Sequence, residues 1–177
     1  MKRFLRFLQM LALGGWIGAI VYFAAVVTVG AFALLPNQDL AGAIVGYTIR
    51  GLHDFGIVAA IIYLVAAIAL ARSIAAFAKP SVIGVVLMLG LTLASQRIVI
   101  PRMDALRAQM GSIAATTATN PLRVQFDRLH GISVDLEVAI LLIGLVALFL
   151  TVRGAMAVKP RLIEVPLEKA PEKTRSS

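Results

Sequence analysis

Residues 120–156 read NPLRVQFDRLHGISVDLEVAILLIGLVALFLTVRGAM, and the reading of this stretch decides the fold. Asn120 and Pro121 suit a helix start. An Asn side chain accepts one of the orphan amide hydrogens of the first turn, and Pro at the first helical position has no amide hydrogen to leave unbonded. Charged turns then give way, from Val138 to Val152, to an almost wholly apolar run that reads as a membrane span. Ionisable groups crowd its approach: Arg123, Asp127, Arg128, His130, Asp135 and Glu137. Polar groups at the edge of hydrocarbon need partners, so any chemistry concentrates there.

Composition extends this reading to the whole chain. Of the 177 residues 60% are hydrophobic and 15% charged, and the mean hydropathy is +0.92, the proportions of a polytopic membrane protein. The formal net charge of +8 invites a nucleic-acid reading. The Lys and Arg residues, however, lie between and beyond the apolar runs with little aromatic interleaving, so membrane topology accounts for them and no nucleic-acid partner is expected. With no Cys, disulfides, thiolate metal sites and Cys nucleophiles are excluded.

Four spans are predicted, at about 8–35, 55–77, 81–100 and 132–153. The first follows Lys2, Arg3 and Arg6. Ala31-Phe32-Ala33 resembles a signal-peptide cleavage pattern, but the apolar run is about twice the usual signal-peptide core, so it reads as an uncleaved helix. Gly14 and Gly18 form a GxxxG face suited to self-association or to docking a membrane partner. Asp39 reads as the N-cap of the second helix. Leu40, Ile44, Tyr47 and Gly51 follow at helical spacing, as an amphipathic stretch leading into the second span. The short turn around Lys79-Pro80 makes helices two and three antiparallel neighbours. Pro101 is expected to kink the third helix rather than end it, since Arg102 to Met110 resumes a helical pattern. Met103, Leu106 and Met110 on that extension are expected to pack against Leu122, Phe126 and Leu129.

The expected fold is therefore an all-α membrane protein: an up-down-up-down bundle of four transmembrane helices with an extra-membrane helical hairpin extension. The bundle occupies residues 1–158. The Pro-rich, charge-alternating stretch 159–177 reads as a disordered cytoplasmic tail. Eleven of the 17 Lys and Arg residues lie at the N-terminus, at Arg72 and Lys79, or from Arg153 onward. The positive-inside rule then places both termini in the cytoplasm of a multi-pass cell-membrane protein, the inner membrane if the source is bacterial.

This topology gathers scattered polar residues. His53 and His130 each sit within about a turn of where their span becomes apolar, and the third helix arrives at that depth with Gln96 and Arg97. Phe126, His130, Ser133 and Glu137 follow 4-3-4 spacing and share a stripe, whereas Asp135 faces elsewhere. The expected site is thus His53, Arg97, His130, Ser133 and Glu137, a polar cluster that ties helices together or serves a partner. The alternative is a metal-binding or metal-transport site with His53 and His130 as ligands to a transition metal, helped by Met103 or Met110. Apart from that alternative no cofactor is expected. An enzyme is not expected either: Ser133, His130 and Asp127 share one helix, whereas a catalytic triad converges from different directions. The partners expected are the lipid bilayer and a second copy or another membrane protein.

Several of these residues also form a pattern: Phe32-Ala33-Leu34-Leu35-Pro36, Ala41-Gly42, Pro101-Arg102-Met103 with Leu106-Arg107, and Phe126 with Leu129-His130 and Ser133. The pattern resembles the transmembrane protein 205-like domain, a family of small four-helix membrane proteins. The resemblance covers the chain to about Leu150 and implies a four-span architecture and an unsettled molecular function. A eukaryotic relative associated with resistance to platinum drugs, and a looser likeness to copper-resistance membrane proteins, point toward metal handling. The family pattern commonly has Asn where this chain has Glu137.

Overall fold

The apolar runs become four long helices. The structure, a computed structural model, describes residues 1–156; the tail expected to be disordered lies outside the described residues. Helix α1 spans Lys2–Leu34, α2 Gln38–Ala71, α3 Pro80–Met110 and α4 Pro121–Met156. Each contains a window of mean hydropathy between 1.9 and 2.4, long and apolar enough to cross a membrane. At 1.5 Å per residue they measure about 46–54 Å, well beyond a hydrocarbon core of about 30 Å. The surplus is where the polar residues lie.

Short turns join the helices, so successive ones run antiparallel. Arg6 near the start of α1 donates a hydrogen bond to the Ala155 carbonyl near the end of α4 (3.4 Å), so both ends of the described chain share one end of the bundle. We call this the terminal end. The opposite, hairpin end holds the α1–α2 turn and the α3–α4 loop. There Leu106, Ile113 and Phe126 form a buried cluster with Met103, Met110, Leu122 and Leu129 packed around it, so the two stripes read from sequence do meet.

The main core lies toward the terminal end. Leu13, Trp16, Ile17 and Ile20 of α1 meet Ala59, Ala60 and Tyr63 of α2, Val82, Val85 and Met88 of α3, and Ile140 and Ala147 of α4. On α4 the buried positions Phe126, Ser133, Ile140 and Ala147 recur every seven residues, the seam of left-handed helix packing. Lipid is as apolar as Leu, so close fit rather than dehydration draws such helices together. Small residues provide it. A Cβ on Gly56 would lie 2.4 Å from the Trp16 indole nitrogen, and one on Gly144 2.9 Å from the Met88 methyl.

Among the described residues Gly14 and Gly18 have nothing within 4 Å of where a Cβ would stand. Three local readings change. The N-cap of α2 is Asn37, not Asp39: Asn37 is extended (φ −149°) and its Oδ1 accepts from the Leu40 amide at 2.8 Å. The stripe of Leu40, Ile44 and Tyr47 is real but turns outward, while Ala41, about a quarter turn round the helix, is buried. In lipid both faces of a helix can be apolar, so spacing alone does not say which looks inward. Finally, α2 stops at Ala71, before the apolar run ends at Phe77. Arg72 takes a left-handed conformation (φ 53°), and the Ser73 hydroxyl caps a short 3-10 turn, Ile74–Ala78.

Pro101 behaves as its chemistry requires. It cannot donate to the Arg97 carbonyl, and its ring would crowd that carbonyl in a regular α-turn. The chain widens instead into a π-type turn over Ser95–Val99, and the helix continues beyond it. A second π-type turn, Phe23–Thr28, interrupts α1.

Candidate functional site

Capping sets the depth of each polar side chain. His53 stands fifteen residues after Gln38 at the start of α2, and Glu137 sixteen residues after Pro121 at the start of α4. Both helices start at the hairpin end, so both side chains lie roughly 23 Å along their helices. His53 Nε2 is 2.6 Å from Glu137 Oε1, with only 2% and 13% of the two side chains exposed. An imidazole N–H facing a carboxylate gives the carboxylate its donor and the ring its acceptor. This bond ties α2 to α4 where the chain turns apolar.

Between this pair and the hairpin end lies a cavity of about 500 Å³. Its walls come from all four helices and the α3–α4 loop. It exists because α1 packs along α4 over its first part, Lys2–Tyr22, and from Phe23 upward stays with α2 instead. Phe23, Ala24 and Thr28 of the π-type turn line the gap so left. Toward its base the cavity is apolar, lined by Ile20, Phe23, Val138 and Leu141 with Glu137 among them; toward the hairpin end it is charged.

Most of those charges are matched. Arg50 pairs with Asp104, linking α2 to α3, and Arg123 pairs with Asp127 one turn along α4 at 2.9 Å. Arg107 differs: among the described residues no carboxylate lies within ion-pair reach of it. Its Nη2 donates to the Gly42 carbonyl at 3.3 Å, its Cζ stands 5.7 Å from the Phe126 ring centre, and its Nε is buried with no protein partner. Two glycines one turn apart make room for it. A Cβ on Gly42 would lie 3.0 Å from Nη2, and one on Gly46 3.5 Å from Nη1. Gly42 and Gly46 thus form the close-approach face on α2, and the occupant is an arginine rather than another helix.

Asp39, displaced from the capping role, spans to the α3–α4 loop. Its carboxylate accepts from the Ser112 hydroxyl and from the amides of Ile113 (2.7 Å) and Ala114 (3.3 Å). Asp39 lies sixteen residues before Phe55, where the span is expected to begin. The Ser112 hydrogen bond foremost, then the two amides and the Arg107 charge, hold its carboxyl below the ordinary carboxylate range against an opposing effect of burial.

The expected cluster therefore assembles only in part. His53 and Glu137 meet, and Ser133 is buried in the cavity wall. His130 also lines the cavity, but it sits seven residues before Glu137, about 10 Å along α4, exposed and with its ring parallel to Phe126 at 6.4 Å. The two imidazoles thus have different partners at different depths. Arg97 is exposed, because Ser95 and Val99, two residues to either side, are the positions the π-type turn buries. Gln96 bonds Asp54 of α2 instead, at 2.8 Å. Among the described residues no three His, Asp or Glu side chains converge as a metal-ligand set. Sequence reasoning missed Arg107 as a site residue. The signal that could have found it is the second GxxxG, Gly42 to Gly46, on a helix whose neighbour carries an arginine at the same level.

Four apolar helices of this length define an integral membrane protein of the four-span class. A family model described as Domain of unknown function (DUF4149) matches residues 11–112, more than half of the chain, and the chain belongs to that family. The matched residues take in α1, α2 and α3, while His130, Ser133 and Glu137 of α4 lie beyond them. No curated protein and no solved structure matches the chain.

Proposed function

We propose that this protein is a non-enzymatic membrane protein whose hairpin-end cavity receives a ligand, with His53 and Glu137 as a structural tie near its base. The observation that carries this reading is the cavity itself. Its volume of about 500 Å³ falls within the range of small-molecule sites, and its wall is mostly apolar with a few convergent polar groups. His53–Glu137, Arg50–Asp104 and Arg123–Asp127 are each already committed, which suits holding a shape better than moving protons. The finer family reading, transmembrane protein 205-like, gains from position: Phe32, Gly42, Met103, Arg107, Phe126, His130 and Ser133, all of which carry that resemblance, line this cavity. The Lys and Arg distribution supports cytoplasmic termini, with the hairpin on the far side of the cell membrane, the inner membrane in a bacterium. The Gly14–Gly18 face, where a Cβ has no neighbour within 4 Å among the described residues, suits a second copy or another membrane protein. No cofactor is needed for this function.

The test is to fill the cavity from its wall with Ser133→Phe and, separately, Val45→Phe. Native mass spectrometry of protein extracted from its own membrane is expected to show a retained small molecule on the wild type that is lost from both variants. Identical spectra for variants that melt like the wild type would remove the ligand-site reading.

A further inference from the structure

Resting on the cavity as a ligand site, we infer that its ligand is an anionic amphiphile: an acid headgroup, carboxylate or phosphate, carried on an acyl chain, with Arg107 as the headgroup receptor. Three features of the wall converge on this chemistry. The first is charge. Of the arginines lining the cavity, Arg50 and Arg123 are neutralised by Asp104 and Asp127, and Glu137 is hydrogen-bonded to His53. Among the described residues Arg107 is the lining arginine with no carboxylate within ion-pair reach; Asp39 senses its charge from farther off. The nearby acid, Asp39, is engaged by Ser112 and two backbone amides of the loop. A buried guanidinium nitrogen lacking a partner is costly, and a planar fork of N–H donors matches a carboxylate or phosphate better than any neutral acceptor.

The second feature is preorganisation. The guanidinium is held by the Gly42 carbonyl, the Phe126 ring face and the space left by Gly42 and Gly46, so little side-chain freedom remains to be lost on binding. His130, whose ring is parallel to that of Phe126, lines the same part of the cavity and adds a second donor for an acid oxygen. The third feature is the path. Ile20, Phe23, Val138 and Leu141 continue the wall away from Arg107 as largely apolar surface, in which Glu137 is held by its hydrogen bond to His53. Phe32 on α1 and Val134 and Val138 on α4 line the cavity while about half exposed on the flank, where α1 has left α4. A soluble anion would have no use for that flank. An acyl chain enters through it from the hydrocarbon, with its head drawn to the arginine.

The experiment uses the full-length protein in a nonionic detergent, with binding read by native mass spectrometry. Two probes share an oleoyl chain and glycerol but differ in charge: 1-oleoyl-lysophosphatidate and monooleoylglycerol. Oleate forms a third arm and separates a free fatty acid from a phospholipid headgroup as the source. At least one acid is expected to bind ten-fold or more tightly than monooleoylglycerol, and R107Q is expected to erase that preference for the acid. Because Arg107 also contacts Phe126 and Gly42, R107K serves as the folding control: it keeps the charge without the fork and is expected to fall between wild type and R107Q. Equal binding of acids and monooleoylglycerol, lost on Ser133→Phe, would overturn the anionic ligand and keep the cavity site. No binding of any probe would overturn both.

Discussion

Toward the terminal end the four helices meet through fit: Gly56 lies under Trp16, Gly144 against Met88 and Ile17, Gly84 against Ala147. Toward the hairpin end they meet through charge: Arg50 with Asp104, Asp39 with the loop at Ser112, Arg107 across Gly42. In the first region a single added methyl group at Gly56 or Gly144 would already collide with a neighbour. The second leaves a cavity of about 500 Å³. The difference follows from the solvent. Within hydrocarbon a helix gains little by hiding apolar surface, so close contact is the main attraction available and gaps are expensive. Near the interface, ion pairs and hydrogen bonds can span longer distances between helices, and helices held apart by side chains can enclose a space.

The contrast can be broken most severely at Gly56. Gly56→Leu must displace the Trp16 indole, a rigid ring rather than a flexible chain end, and is expected to cost about 3 kcal/mol or more, read as a collapse of the melting temperature in detergent. The same replacement at Gly14 or Gly18, where a Cβ has no neighbour within 4 Å among the described residues, should leave the monomer's stability unchanged; a fall at either would mean that α1 packs elsewhere.

At the boundary between the regions stands His53–Glu137. Either single replacement by Leu leaves the other group buried without its partner, and each is expected to cost about 2 kcal/mol. The double replacement should cost clearly less than the two together, because nothing polar is then left stranded. Strict additivity in that double-mutant cycle would show that the two side chains act independently.

Within the tightly fitted half, the Tyr63 hydroxyl donates to Thr151 at 2.7 Å, and Thr151 in turn donates to the Ala147 carbonyl. Tyr63→Phe is expected to cost only about 0.6 kcal/mol, the usual size of a hydrogen bond between membrane helices, because packing carries this region. A loss several times larger would mean that polar contacts matter as much here as at the hairpin end.

The smallest effect is local and depends on pH. The Asp39 carboxyl is held below its ordinary value in the folded chain, so its contribution is complete at neutral pH and is lost as pH falls through that lowered value, below about 4. Protease cleavage within the Ser112–Thr119 loop is expected to accelerate on acidification through that range, and Asp39→Asn should show the faster cleavage already at neutral pH. Equal cleavage of wild type and variant across the range would detach Asp39 from the loop.

Much of the fold was legible. Asn120 accepts from the Leu122 amide at 2.9 Å, as its place before Pro121 implies, and the stripes of Met103, Leu106 and Met110 and of Leu122, Phe126 and Leu129 form one cluster. The site was legible only in part. His53 and His130 were matched in depth from where each span turns apolar, whereas depth follows from where each helix starts, which pairs His53 with Glu137 instead. Arg97 looked inward until the π-type turn before Pro101 shifted the buried face to Ser95 and Val99.

Apolar run lengths, capping residues and turn chemistry are local properties, so the chain alone determined four membrane helices and the hairpin beyond them. Which faces meet is not local. In lipid the outward side of a helix is as greasy as the inward one, so periodicity cannot say that Leu40, Ile44 and Tyr47 turn away while Gly42 and Gly46 turn in to receive Arg107. That choice belongs to the tertiary structure, because it rests on helix lengths, π-type turns and the fit of small residues between different helices.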